Sequence, residues 1–597
     1  MGSYAVLLSF ALLFICQFQM VYLVSLRKMN LDLSSSTSEV AKSLSCDACS
    51  EVVDVIRELA ELKASESLIG NVTVVLCKKF APIFSKKVDS RVCEMIVPEF
   101  MDEVLYVFDH TALSTREICG FILNDKCGTM YDPFYQKWNV TIPGGKPPIK
   151  PYQPPKVNIT NKILHISDIH WDPQYTPGLQ AKCDEPLCCR PPIPKGESSN
   201  SAGYWGDTRE CDLPMQTLLN LMEHLNDTQD QFDWIYLTGD LPPHNVWNQT
   251  QDDQIYIFNK IINLFYKYFP NKPLFFSVGN HESAPVNSFP PASITEYSMS
   301  WLYDDAAELL QKWLTSTDAI ITFKSGGFYS IDFNGLRVIS LQTNYYNNQN
   351  WWLWINSTDP DGMLHWFIEK LLDAEAKGMK VHVLGHIPPD KHSWGQNYKK
   401  IVSRFENTIA GQFFGHTHSD TFTVLMDFET SSTPRPYSVW YNGPSVTTYS
   451  YQNAGYRIYT VDGNYNESSR QVLDHDTYIL NITDANLTNK PKWIHEYSAK
   501  DAYNMTNLTP DSWFSLVKEF LTNNDLLLKY YHYISKSFDM ESQCSDSGKD
   551  KCKKSTICSC LTTFSKISAC SALYSDADLD ITEEQMINFY ATAHQHC

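Results

Sequence analysis

LFFSV at 274–278, followed at once by Gly279-Asn280-His281-Glu282, decides how this chain is read. A short apolar run bounded by glycine reads as a buried strand, and the glycine lets the backbone turn sharply where candidate metal ligands begin. Four more runs end alike. KILHIS (162–167) leads into Asp168-Ile169-His170, and WIYL (234–237) into Gly239-Asp240. VHVL (381–384) leads into Gly385-His386, and QFF (412–414) into Gly415-His416-Thr417-His418. Functional groups of open α/β sheets collect beyond the carboxyl ends of the strands, so these five sets are expected to converge. The donors are carboxylates, imidazoles and one amide, with no thiolate, which suits zinc, manganese or iron(II). Singly each motif is weak, since an Asp-x-His is more often a capped turn than a ligand pair. Five in order, each behind a strand, is a specific signal.

On these motifs residues 160–457 are identified as a member of the calcineurin-like metallophosphoesterase family. The resemblance implies an α/β catalytic domain over 160–461, a β-sandwich flanked by helices. It also implies two zinc ions per chain, one held by Asp168, His170 and His418 and one by Asn280, His386 and His416, with Asp240 bridging. Two such ions activate a water and neutralise phosphoryl oxygens. A leaving alkoxide still needs a proton from an imidazole. His281, beside Asn280, and His244, in Gly239-Asp-Leu-Pro-Pro-His244, are both candidates, and the sequence does not choose between them. Pro243 stands where purple acid phosphatases carry a tyrosine ligand, and GDLPPHN differs from the Gly-Asp-x-Val-Asp-Arg-Gly of protein phosphatases.

Three further stretches, together with Trp205 in GYWG, narrow the substrate. They are GNHESAPVNSFPP (279–291), NSTDP (356–360) and DHDTYIL (474–480). They resemble the acid sphingomyelinase family and its phosphodiesterase-like relatives. The resemblance implies hydrolysis of a membrane sphingolipid, sphingomyelin, to ceramide and phosphocholine. Two alternatives differ in class: a phosphohydrolase of soluble nucleotides or other phospholipids, and an inert lipid-binding protein. In one respect the chain departs from that family. Residues 342–350 and 390–398 hold no cysteine where the family usually bridges two, so altered loop stability is expected there, with catalysis kept.

Upstream the period changes to that of helices. Cys49, Val52, Val53, Ile56, Leu59 and Leu62 form one apolar stripe, and Met95, Ile96, Phe100, Val104, Leu105 and Phe108 another. Six cysteines within 46–127 leave fifteen connectivities open. The unit resembles a saposin B-type domain over 42–131, which is all-α. That resemblance implies pairs Cys46–Cys127, Cys49–Cys119 and Cys77–Cys93. Lys78, Lys79, Lys86, Lys87 and Arg91 lie among Phe80, Ile83 and Phe84, a mixture suited to an anionic membrane surface. GGKPPIKPYQPPK (144–156) reads as a proline-rich linker spanning 144–158, a semi-rigid spacer.

A chain of 597 residues needs more than one core. Its formal charge of −20 disfavours nucleic acid as a partner. An apolar run from Ala5 to Cys16 suits a signal peptide over 1–26, with an uncleaved anchor as the alternative. Cys183, Cys188, Cys189 and Cys211 form a second even group, and Cys544, Cys552, Cys558, Cys560, Cys570 and Cys597 a third whose pairing stays open. Such groups read as disulfides of an oxidising lumen. Sequons at Asn71, Asn139, Asn158, Asn226, Asn248, Asn356, Asn466, Asn481, Asn486, Asn504 and Asn507 point the same way. A lysosomal or secreted monomer is expected, ending in a helical, disulfide-rich region over 462–597 that is helical around 513–531.

Overall fold

Apolar stripes and apolar runs sort into two units in a computed structural model of the chain, Met1–Tyr131 and Asp132–Cys597. It describes residues 38–84, 87–122, 127, 138–389, 392–429, 434–538, 549–564 and 568–573. The 1–26 segment, Cys544, Cys597 and the side chains of Phe80, Ile83, Phe84 and Lys86 lie outside the described residues. Among those described, no helix is long and apolar enough to cross a membrane.

In the first unit helices α1 (Ser38–Glu61), α2 (Glu66–Phe84), α3 (Ser90–His110) and α4 (Thr115–Ile122) follow in order. Asp89 caps α3 by accepting the Val92 N–H at 2.8 Å. Ile56 and Leu59 of the first stripe pack with Ile69, Val97 and Met101, and Ile96, Val104, Leu105 and Phe108 of the second stripe are half-buried against them. Three disulfides reinforce this packing: Cys46–Cys127, Cys49–Cys119 and Cys77–Cys93. The longest bridge spans 81 residues, and a loop of that size is constrained by on the order of 4 kcal/mol in the unfolded chain. Lys78 of the basic cluster pairs with Glu94. Leu62 and Val75 are exposed apolar residues of this unit.

Two mixed sheets build the second unit. The first is formed by β1 (Thr160–Ile166), β2 (Trp234–Leu237), β3 (Leu274–Phe276), β10 (Ala454–Asp462), β11 (Val472–Leu480) and β12 (Trp493–Ser498), in the order β12-β11-β10-β1-β2-β3. The second holds β4 (Tyr329–Phe333), β5 (Leu336–Ser340), β6 (Lys380–Leu384), β7 (Ile409–Phe414), β8 (Thr421–Asp427), β9 (Arg435–Asn442) and β13 (Leu561–Thr563). Their order is β13-β8-β9-β7-β6-β5-β4. β1, β2 and β3 are mutually parallel, as are β5, β6 and β7, so the carboxyl ends in each set share an edge. The inner faces meet through Tyr236, Phe413 and Tyr459, and the Tyr236 hydroxyl reaches His382 Nδ1 at 2.8 Å across the two sheets. Helices such as Gln251–Tyr268 and Met363–Ala376 cover the outer faces.

Two features depart from the sequence reading. The region after 461 is more than helical, because β11 and β12 extend the first sheet and β13 joins the second beside β8. The stretch expected to be helical around 513–531 is helical, as Pro510–Glu519 and Asn524–Ile534, with Asn523 capping the second by accepting the Leu526 N–H at 3.1 Å. The even third cysteine group does not pair completely. Cys558 bonds Cys570 and Cys552 is also in a disulfide, but Cys560 is a free buried thiol that burial pushes up to about 12.

The proline-rich stretch is laid along the second unit. Val140 N–H donates to Asn397 Oδ1 at 3.1 Å, Lys150 N–H to Asn407 Oδ1 at 3.0 Å, and Asn407 Nδ2 to the Pro148 carbonyl at 2.9 Å. Where the family bridge is missing, Tyr346 packs its ring against His392 and Trp394 instead. Cys183–Cys188 and Cys189–Cys211 staple the loop after β1.

Candidate metal centre

The five carboxyl-end loops converge, and they do so through an unfavourable backbone. Asp168, His170, Asp240, His416 and His418 all adopt positive φ, between 42° and 67°. L-residues pay for that conformation, and such strain gathers at functional sites. Close approach explains two of the adjoining glycines. Gly239 has φ 84°, and a Cβ there would collide with the Gly279 backbone; at Gly415 it would collide with Ser167 Oγ.

Asp168, His170, Asp240 and His418 present ligand atoms within 4.8 Å of one another, as do Asp240, His386 and His416. Asp240 thus belongs to both groups. Its Oδ2 lies 3.0 Å from His386 Nε2 and 3.5 Å from His170 Nε2. Asn280 Oδ1 lies 3.0 Å from His386 Nε2 and 2.9 Å from His416 Nδ1. His170 and His418 approach to 3.1 Å between Nε2 atoms. His170 is oriented by Nδ1 on the Pro242 carbonyl at 2.7 Å, and His386 by Nδ1 on the Thr238 carbonyl at 2.6 Å. Each therefore turns Nε2 into the centre, the usual arrangement for an imidazole ligand.

The charges fit a cation. Asp240 Oδ2 is buried without a hydrogen-bond partner. Burial alone would push the Asp240 carboxyl up, but His386, His281 and His170 hold it well below the usual range. Burial works against charge on His386, yet Asp240, Asp168 and Glu282 lift it to about 9. Burial and Asp240 push Asp168 up to about 7, against the pull of His386. A bound cation would replace those protons as the compensating charge.

Both candidate proton donors sit over the cluster. The His244 ring stacks on His170 at 4.0 Å and on Tyr449 at 4.2 Å, and lies 4.7 Å from the His281 ring. His244 Nδ1 is 2.8 Å from Asp212 Oδ1. His281 has neither ring nitrogen hydrogen-bonded, and burial pushes it down to about 4.

Sequence reasoning gave no role to two carboxylates. Glu282 accepts N–H groups from Gly279, Asp240 and Leu241, tying the Asp240 loop to the Asn280 loop. Its place two residues after Asn280 was the available signal. Asp212, which anchors His244 and also accepts the Thr447 hydroxyl at 3.0 Å, had none.

Behind the His416–His418 loop a buried network fixes Asp420, which accepts from Arg457, from Tyr497 at 2.8 Å and from Thr477 at 2.8 Å. Glu496 lies nearby, and burial pushes it up to about 8. The folded chain thus keeps this proton up to about pH 8, the unfolded chain only to about 4.5. Its contribution to stability is full below that lower value and drains away as pH climbs to 8. Glu496→Gln should therefore melt higher than the wild type at pH 8, by on the order of 2 kcal/mol, with the gap closing near pH 5. Equal gaps at both pH values in thermal unfolding would contradict this.

Fold and site together define a calcineurin-like phosphoesterase, and that family's model matches residues 161–420. A second, the acid sphingomyelin phosphodiesterase C-terminal region, matches 442–576. The Sphingomyelin phosphodiesterase of Bos taurus is 40% identical over 546 residues, covering 90% of this chain and 85% of its own. That of Homo sapiens is 40% identical over 552 residues, covering 90% and 84%. The Cyclic GMP-AMP phosphodiesterase SMPDL3A of Mus musculus is 31% identical over 419 residues, covering 66% and 88%. The chain belongs to the acid sphingomyelin phosphodiesterase family.

Proposed function

We propose that this protein hydrolyses sphingomyelin to ceramide and phosphocholine at the centre formed by Asp168, His170, Asp240, Asn280, His386, His416 and His418. The convergence of these seven side chains carries the reading, and the two relatives 40% identical over 90% of the chain support the lipid substrate. The donor set suits a pair of zinc ions; Asp168, His170 and His418 would hold one and Asn280, His386 and His416 the other, with Asp240 within reach of both. When bound, such ions supply an activated water and neutralise the phosphoryl oxygens. Glu282 keeps the Asp240 and Asn280 loops in register. The proton for the leaving ceramide alkoxide comes from the His244–His281 pair, in which Asp212 anchors the His244 ring. His244→Ala and His281→Ala should together cost about 10²–10⁴-fold on sphingomyelin. On a nitrophenyl phosphodiester, whose leaving group needs no proton, the loss should stay below about tenfold. Equal losses on both substrates would remove the proton-donor role.

The N-terminal unit is a saposin-type module that works at the lipid surface. Sphingomyelin tails cost about 0.8 kcal/mol per CH₂ to draw into water, so a module that docks on or disorders the membrane lowers that cost. The disulfides and family membership fit a lysosomal or secreted protein; a signal peptide over 1–26 and glycosylation at the exposed sequons complete that route. Among the sequons Asn486 is the poorest acceptor. Its amide is already committed, donating to the Gly206 carbonyl at 3.0 Å and accepting the Trp205 N–H at 2.9 Å. The protein acts as a monomer.

Phosphocholine release from sphingomyelin vesicles tests the whole reading. Activity should vanish with a chelator and return with added zinc. Indifference to the chelator would sink the metal centre, and faster turnover of a cyclic dinucleotide than of vesicles would favour a soluble substrate.

A further inference from the structure

One fully buried lysine has no part in the chemistry above. Lys536 lies two residues beyond the helix Asn524–Ile534, and its backbone and that of Ser537 are left-handed, each at φ 55°. Both conformations are unfavourable for L-residues, and the Lys536 side chain is wholly buried. The ammonium group has three N–H bonds and meets three acceptors. They are the His418 carbonyl at 3.0 Å, the Ser445 carbonyl at 3.2 Å and the Ser445 hydroxyl oxygen at 2.6 Å. Among the described residues it forms no ion pair with a carboxylate. Room for its stem depends on a glycine, because a Cβ on Gly455 would stand 2.8 Å from Lys536 Cδ. A buried cation is costly. Here its donors go to both oxygens of Ser445 and to the backbone of the His418 loop instead of to a counter-ion.

That loop is the strained one. His418 sits at φ 56°, and its carbonyl also accepts the Ser445 N–H at 3.1 Å. Two residues on, the Asp420 N–H donates to the Ile534 carbonyl at 3.1 Å, and Asn453 Nδ2 donates to the Lys536 carbonyl at 3.0 Å. The helix end and the turn after it therefore grip the His416–Asp420 loop at two points, Ile534 on Asp420 and Lys536 on His418. We propose that Lys536 is a positioning residue that clamps the His418 carbonyl and so aims the His418 imidazole at the metal centre, 3.6 Å from Asp168 Oδ1. This rests on the reading of His418 as a ligand. It also gives the C-terminal region a direct part in assembling the catalytic site.

Cobalt-loaded full-length wild type, Lys536→Met and His418→Ala distinguish the possibilities through visible absorption and the rate at which a chelator removes the metal. Lys536→Met keeps the length of the stem and removes the donors. It should shift the same absorption bands as His418→Ala and release metal about tenfold faster than wild type. An unchanged spectrum and release rate, with only a lower melting temperature, would reduce Lys536 to a structural residue and overturn the proposal. If His418→Ala itself leaves spectrum and metal content as in wild type, the ligand reading fails instead. Should Lys536→Met not fold, Ser445→Ala decides, since it removes one of the three acceptors. Metal release about threefold faster supports the clamp, and an unchanged rate overturns it.

Discussion

Asp240→Asn should abolish sphingomyelin turnover, by more than about 10³-fold, while leaving the melting temperature close to that of the wild type. The substitution keeps the shape of the side chain. Asn still offers Oδ1 to the His281 N–H, now 2.9 Å away, so the loop after β2 has no reason to move. It removes the one negative charge common to both clusters of ligand atoms, the oxygen that stands 3.0 Å from His386 and 3.5 Å from His170. His386 would lose the charge that does most to lift it, and the centre would lose much of its attraction for a second cation. Metal content by elemental analysis should fall in parallel with turnover. A folded variant hydrolysing sphingomyelin within tenfold of the wild-type rate would refute the bridging role.

Removal of residues 45–127 should reduce activity on sphingomyelin vesicles by at least about tenfold more than activity on a short-chain, water-soluble analogue. The second unit carries both sheets and the whole metal cluster, so its chemistry is not expected to need the first unit. What changes is access to the substrate. Each CH₂ that must leave the bilayer costs about 0.8 kcal/mol, so even a few exposed methylenes on each tail outweigh an ordinary binding interaction. A short-chain analogue has already left the bilayer, and the deletion should cost it little. Kinetics on both substrates, with thermal unfolding of the truncated chain, check this. Equal losses would leave the helical unit as a stabilising appendage.

The convergence of the candidate ligands was legible because each is local in sequence to its strand. Each ligand follows its strand within a few residues, so the five runs placed all seven side chains before any contact was known. The start of β2 and its end at Leu237 agree with WIYL to the residue. The end of the chain was harder. β11 pairs with β10 and β12 with β11, and β13 is three residues long and pairs with β8, from which it is remote in sequence. A segment that short has no periodicity to read, and its partner decides its form.

The sequence by itself determined the candidate ligand types, their order along the chain and the apolar stripes of the N-terminal helices. All of these depend on neighbours within a turn or a strand. Tertiary structure alone decided that Asp240 belongs to two clusters, that Asp212 anchors His244, that Cys560 stays unpaired and that Lys536 reaches His418. Each of those depends on positions far apart along the chain, and only the packing of the two sheets, with the C-terminal strands added to both, brings them within hydrogen-bonding distance.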